Sequence, residues 1–175
     1  MSAIDIQALR ASPKTHEMLS EMLIETVAHG GSVTFLHPLD AAVAGAFWMS
    51  ALAAADRGER IVLGAFDGDI LAGTVSLILD MPPNQLHRAE IAKLMTRPIY
   101  RGRGVASALM RAIEREAAAR ERMLLTLDTA ADEGASGLYE KLGFVLAGTI
   151  PDYALKPHGG LTGAMFYWKR IGAKA

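Results

Sequence analysis

Residues 89–106 read Ala-Glu-Ile-Ala-Lys-Leu-Met-Thr-Arg-Pro-Ile-Tyr-Arg-Gly-Arg-Gly-Val-Ala: an apolar stretch that stops at Pro98, then a glycine-punctuated turn, then the start of a helical pattern. The first N–H groups of a helix have no partner inside it, and glycine lets a ligand approach them closely. A strand–turn–helix of this kind is therefore an anion site. Arg97, Arg101 and Arg103 add three positive charges within seven residues. The ligand that this chemistry suits is phosphorylated and held by main chain.

The elements that must position this turn follow from periodicity. Ile4 and Ile6 flank Asp5 as a short strand, and a helix is predicted from Thr15 to His29, stopped by Gly30-Gly31. Asp40 can cap a second helix on which Val43, Phe47 and Leu52 share a face. Strands over 61–66 and 70–79 enclose Asp67-Gly68-Asp69, a hairpin signal, and a further strand is predicted over 88–96. Beyond the turn, Val105, Leu109, Ile113 and Ala117 step at four residues, which predicts a helix to about Arg122. A strand over 124–129, a short helix over 134–142 and strands over 144–153 and 163–171 complete the order β-α-α-β-β-β-α-β-α-β-β. An antiparallel meander followed by a β-α-β unit implies an α/β (mixed α+β) protein, with a mostly antiparallel sheet flanked by helices. The ligand then belongs at the carboxyl end of the strand that feeds the turn.

Length and composition narrow the classes. The 175 residues suit a single domain spanning 1–175, with 51% apolar and 21% charged residues. A net charge of −1 argues against a general nucleic-acid binder. With no cysteine there is no thiol nucleophile, disulfide or thiolate metal site, and the five histidines show no metal-ligand spacing. The first ten residues lack the pattern of a secretory signal. The longest uncharged run, 41–55, is too short to span a bilayer, so no membrane association and a cytoplasmic location are expected. A dinucleotide loop is disfavoured because Ser107 stands where a third glycine is needed. A nucleoside-triphosphate loop is disfavoured because no Gly-Lys-Ser/Thr follows.

Arg101-Gly102-Arg103-Gly104-Val105-Ala106 is similar to the Gln/Arg-x-x-Gly-x-Gly/Ala signature of the GNAT superfamily of N-acetyltransferases. Gly137-Leu138-Tyr139-Glu140-Lys141-Leu142-Gly143-Phe144 resembles that superfamily's second block, in the right order and on the right elements. The resemblance implies a GNAT-like sheet of about seven strands with about four helices. It also implies acetyl-CoA as donor without a metal, and direct attack by a primary amine in a ternary complex. Within the superfamily the likeness runs over nearly the whole chain to a member that acetylates a small antimetabolite.

Carried onto this sequence, the resemblance places the coenzyme A pyrophosphate on N–H groups of Gly102, Arg103, Gly104, Val105, Ala106 and Ser107, with the Arg101 charge beside them. Leu94, Met95 and Thr96 would pair with the pantetheine arm as an added strand, and the Met95 N–H would meet the thioester oxygen. An ammonium must lose a proton before it attacks, and Glu90 and Asp128, charged groups in otherwise apolar or neutral strands, are the candidate bases. Their structural alternatives are a rim ion pair of Glu90 with Lys93 or Arg88, and a turn cap for Asp128. Strict alternation sets Glu90 on the face of Leu94 unless a bulge intervenes. Tyr139 is the candidate proton donor to the departing thiolate, against packing in the core.

Asp132 stands where many relatives carry asparagine. His29 and its glycines, with Phe35, Trp48 and Tyr153, are candidate walls of an acceptor pocket, core packing being the simpler reading for Phe35 and Trp48. The expected partner is a small-molecule amine. A protein or peptide acceptor and a non-catalytic acyl-CoA-binding module are the alternatives. Monomer and homodimer both stay open, with Phe166, Tyr167 and Trp168 as a candidate dimer edge.

Overall fold

The computed structural model describes residues 4–132, 134 and 136–172. The elements are β1 (Asp5–Ala8), α1 (Pro13–Ala28), α2 (Ala41–Asp56), β2 (Arg60–Asp67), β3 (Ile70–Ile78), β4 (Arg88–Thr96), α3 (Val105–Ala118), β5 (Leu124–Ala130), α4 (Ser136–Lys141), β6 (Val145–Leu155) and β7 (Leu161–Arg170). Their order is the one that periodicity predicts. The strands form one seven-stranded sheet, β1-β2-β3-β4-β5-β7-β6, antiparallel throughout except between β4 and β5.

Local chemistry sets the helix starts. The Ser12 side chain accepts the Thr15 N–H at 3.1 Å and Pro13 takes the first position of α1. Asp40 accepts the Ala42 N–H at 2.7 Å and starts α2. The face of α2 differs from expectation: Ala44, Gly45, Trp48, Ala51 and Leu52 are buried, while Val43 is half exposed. In so alanine-rich a helix the apolar residues mark no clear side, and the bulk of Trp48 decides its rotation.

The sheet divides two cores. Alternate residues such as Leu63, Ala89, Ile91, Leu125, Leu127 and Tyr167 face α3 and α4. Val62, Leu71 and Met95 face α1 and α2, against Leu19, Met22, Leu23, Trp48 and Leu52. Strand β7 is interior, so Tyr167 is buried rather than offered at an edge, and the edge strand on that side is β6.

The site-forming feature is where pairing stops. Strands β4 and β5 are in register at Arg88–Leu124, Ala89–Leu125 and Glu90–Thr126 only, although both continue, to Thr96 and Ala130. Each stays paired on its other side, β4 with β3 as far as Thr96 and β5 with β7 as far as Ala130. The sheet is therefore intact in two halves that part along one seam. A bulge in β4 begins the parting: Val75 of β3 faces two residues, Lys93 and Leu94, and Lys93 takes φ +54°.

Gly73 lets α3 lie close on the half-sheet beside that seam. A Cβ there would stand 2.8 Å from the Met95 carbonyl and 2.8 Å from Val105 Cγ1. We expect Gly73→Ala to lower stability by about 1–3 kcal/mol, the usual cost of overpacking, read as a lower urea midpoint at unchanged slope.

Candidate active site

A cavity of about 580 Å³ passes through the seam. Its lining includes Leu94, Ala106, Leu127, Leu138 and Tyr139 from the α3–α4 side, and Phe47, Arg60, Glu90, Lys93 and Asp128 from the other. The size fits a small ligand.

The turn after β4 closes one end. Tyr100 is buried, donates to Asp67 Oδ2 at 3.2 Å and carries the Arg103 guanidinium 5.2 Å above its ring, which pins the turn to the core. Burial, with Asp67 beside it, raises the Tyr100 pKa, so it stays a neutral donor. Gly102 and Gly104 take φ +73° and +82°, left-handed values that favour glycine, with open space where a Cβ would project. Among the described residues the N–H groups from Gly102 to Ser107 have no main-chain acceptor, and Ala108 closes the first helical bond onto Gly104 at 2.9 Å. Arg101 and Ala106 reach the cavity; Gly102, Arg103, Gly104, Val105 and Ser107 form the turn beyond it.

Arg97 departs from expectation. It donates to Glu25 at 2.7 Å and to the Leu71 carbonyl at 2.8 Å, with Glu21 at 3.8 Å. It holds the end of α1 against β3 instead of charging the turn.

The bulge also changes which side chains share a face. Leu94 packs with the α3 core and Met95 with the α1–α2 core, so Glu90, opposite in phase to Ala89 and Ile91, does not share the face of Leu94. Glu90 is half-buried with Arg88 at 3.9 Å, while Lys93 forms no ion pair with it. Asp128 lies two residues past the last β4–β5 pair, on the same face as Thr126 and exposed. Tyr139 is buried at the cavity wall, its ring 5.6 Å from Tyr167 and 6.1 Å from Phe144.

Main-chain direction revises one expectation. Arg97 N–H donates to Ala72 of β3 at 2.9 Å, and the Thr74–Met95 pair lies two residues back. By the alternation of an antiparallel ladder, the Met95 N–H also faces β3, and those of Leu94 and Thr96 face the gap.

Sequence reasoning passed over Arg60, Phe47 and Thr34 and gave Lys93 only a rim role. Lys93 Nζ donates to Thr34 Oγ1 at 3.0 Å and lies 5.3 Å from the Phe47 ring and 5.9 Å from that of Phe35. The Arg60 guanidinium sits 6.0 Å from Phe47. Burial lowers the pKa of Lys93, Arg60 lowers it further, and Asp128 and Glu90 oppose this. Burial likewise lowers that of Arg60. Gly30, Gly31 and His29 line the cavity as expected; Trp48 is core, and Phe35 packs edge-on against Phe47 at 5.4 Å. The loop after α1 is tied to the β6–β7 turn: His37 N–H donates to Pro157, His158 to Ala28, and the two imidazoles are 4.5 Å apart.

A mixed sheet split between its fourth and fifth strands, with an anion turn at the split, is an acetyltransferase fold. An N-acetyltransferase from Staphylococcus aureus Mu50 is 18% identical with a TM-score of 0.79, over 95% of this chain and 98% of that one. The protein yncA of Salmonella typhimurium, solved with its cofactor acetyl-CoA, is 17% identical with a TM-score of 0.79, over 99% and 97%. An aminoglycoside 6'-N-acetyltransferase complexed with coenzyme A is 20% identical with a TM-score of 0.77, over 98% and 99%. The profile of the acetyltransferase (GNAT) family matches residues 23–144, and the chain belongs to that family.

Asp132 faces the β6–β7 hairpin: Lys156 Nζ is 2.8 Å away, and the Thr162 hydroxyl donates to its other oxygen. Bonds from Lys156 and Thr162 pull its pKa down to about 2. A depressed carboxyl contributes stability that is present above its unfolded value near ~4 and is lost as pH falls through the folded value. Asp132→Asn should therefore lower the urea midpoint at pH 7, and the gap from wild type should narrow as pH drops from about 4 to about 2.

Proposed function

We propose that this chain transfers the acetyl group of acetyl-CoA to the primary amine of a small molecule by direct attack in a ternary complex. One observation carries this: the cavity that runs through the seam joins the anion turn and Tyr139 on one side to Glu90 and Asp128 on the other. Acetyl-CoA supplies an activated acyl group on a thiol leaving group.

The residues fit that donor. The N–H groups from Gly102 to Ser107, which have no main-chain acceptor among the described residues, suit a pyrophosphate with Arg101 beside them. Leu94 and Thr96 offer a strand edge to the amides of pantetheine. Leu94, rather than Met95, is placed to donate its N–H as negative charge gathers on the thioester oxygen, help worth roughly 3 kcal/mol. Glu90 and Asp128 accept the ammonium proton, directly or through water, and Tyr139 returns a proton to sulfur.

A small acceptor is supported by three things. The cavity is of small-molecule size, and the loop of 29–37 is fastened to the 156–160 turn, so a cover lies over that side. Glu25-Thr26-Val27, Arg88-Ala89-Glu90, Lys93-Leu94-Met95 and Leu127-Asp128-Thr129 resemble the tabtoxin resistance protein, an acetyltransferase that inactivates an antimetabolite. On this reading the activity serves resistance, in the cytoplasm. Among the described residues no helix is long and apolar enough to cross a membrane.

Release of free CoA thiol from acetyl-CoA, over a panel of amines and short peptides, tests the proposal. It fails if acetyl-CoA binds and no small amine releases CoA. Glu90→Gln and Tyr139→Phe should each cut kcat by ~10- to 10⁴-fold with acetyl-CoA affinity retained. Gly104→Ala should instead weaken acetyl-CoA binding by ~10- to 100-fold in calorimetry, the value of one N–H bond to a charged group, and should also strain the turn.

A further inference from the structure

Two cations line the acceptor side of the cavity, and among the described residues neither is held in a salt bridge. Among the described residues neither Arg60 nor Lys93 has an acidic oxygen within ion-pair distance: the Glu90 carboxylate pairs with Arg88, and Lys93 donates to a threonine hydroxyl. Both are half-buried, and both flank the ring of Phe47, at 6.0 and 5.3 Å. An aromatic face lowers the cost of a desolvated cation but does not cancel the charge. Two like charges beside one ring are costly unless something else satisfies them. Burial lowers the pKa of both, and Arg60 lowers that of Lys93 further, while Glu90 opposes the shift at each and Asp128 opposes it at Lys93.

Register places these cations relative to the bases. Arg60 pairs with Ile78 and Ile78 with Glu90, so Arg60 and Glu90 lie in one row across three strands, roughly 10 Å apart at Cα. Lys93 follows Glu90 by three residues on β4, at the bulge, and lines the same cavity. The acceptor side thus holds Arg60 and Glu90 a short molecule's length apart, with Lys93 near enough to feel Arg60, Glu90 and Asp128 alike.

Resting on the acetyl-transfer reading above, we propose that the acceptor is zwitterionic. It is an amine that also carries an oxyanion, in the simplest case a carboxylate, and Arg60 and Lys93 seat that anion while the amine points to Glu90 and Asp128. The pair determines specificity and takes no part in the proton transfers.

The test uses matched acceptors: lysine against cadaverine, ornithine against putrescine, and 4-aminobutyrate and glycylglycine against their primary amides, followed by CoA release. The acids should be preferred at least tenfold in kcat/KM. Arg60→Gln and Lys93→Gln should each raise KM for the acids ~10- to 100-fold with kcat and the KM for acetyl-CoA little changed, and Arg60→Lys should keep most of the preference. The variants sit on different strands, so one that misfolds by circular dichroism leaves the other to decide. Equal use of acids and their neutral counterparts overturns the proposal, as does an acid preference that both variants keep. If acetyl-CoA binds and nothing is acetylated, the acetyl-transfer reading fails on its own account. The anion seat is then decided by succinate and glutarate: protection of wild type but not of Arg60→Gln in thermal unfolding supports it, and no protection overturns it.

Discussion

Past the pair formed by Glu90 and Thr126, β4 and β5 stop touching, and the site depends on that separation. Parting two parallel strands inside a sheet leaves facing rows of N–H and C=O groups without partners, which a folded protein rarely tolerates away from water. Here each strand keeps its ladder on the outer side, so the cost falls on one seam only. The seam is also edged by main-chain polar groups. A chain with alternating amide donors and acceptors completes both edges, whereas a bulky ring system does not. Such edges suit the extended amide-bearing arm of the proposed donor.

The same bulge sorts the chemistry by face. One extra residue at Lys93 shifts the phase of β4, so that Leu94 joins the α3 core and Met95 the α1–α2 core. Without it, Lys93 would point into apolar packing and Met95 to the opposite side. With it, Lys93 emerges beside Phe47 in the cavity that Arg60, Glu90 and Asp128 also line. Lys93 takes a positive φ without being glycine, which costs on the order of 1–3 kcal/mol. The surrounding ladder, the Thr34 bond and the two aromatic contacts hold it there.

Much of this was legible in the sequence, for physical reasons. Element order, the Arg88–Thr96 strand and the turn at 101–104 are written in local patterns: apolar periodicity, capping residues and paired glycines. The family blocks added the donor. What escaped depended on phase or on distant partners. Strict alternation cannot locate a bulge, so whether Glu90 shares the face of Leu94 stays conditional in the sequence, and the Met95 N–H turns toward β3 instead of the gap. Alanine-rich α2 has little contrast between its sides, so Val43 was set inside and Phe47 was not recognised as a cavity wall. Arg60 reads as an ordinary charged strand end until Phe47 arrives from another element. Lys93 carried the same signal that singled out Glu90, a charge within an apolar run, but was read only as a neighbour's counter-ion.

The fate of the arginines bears on how a chain with net charge −1 would grasp a polyanion under the proposed function. Three guanidiniums cluster around the turn in sequence, yet in space Arg97 is consumed by Glu25 and the Leu71 carbonyl, and Arg103 lies over Tyr100. Only Arg101 of the three reaches the cavity. On the proposed reading the grip lies chiefly in main-chain N–H groups between Gly102 and Ser107, which among the described residues have no main-chain acceptor and stand at the start of α3. Such dipoles act at contact distance and need no long-range field, so the overall charge of the protein is beside the point. They also hold direction as well as charge: a pyrophosphate seated on them fixes where the attached chain enters the seam. A surface patch of lysines would attract the same ligand without orienting it, and in salt would lose much of that attraction within about 10 Å.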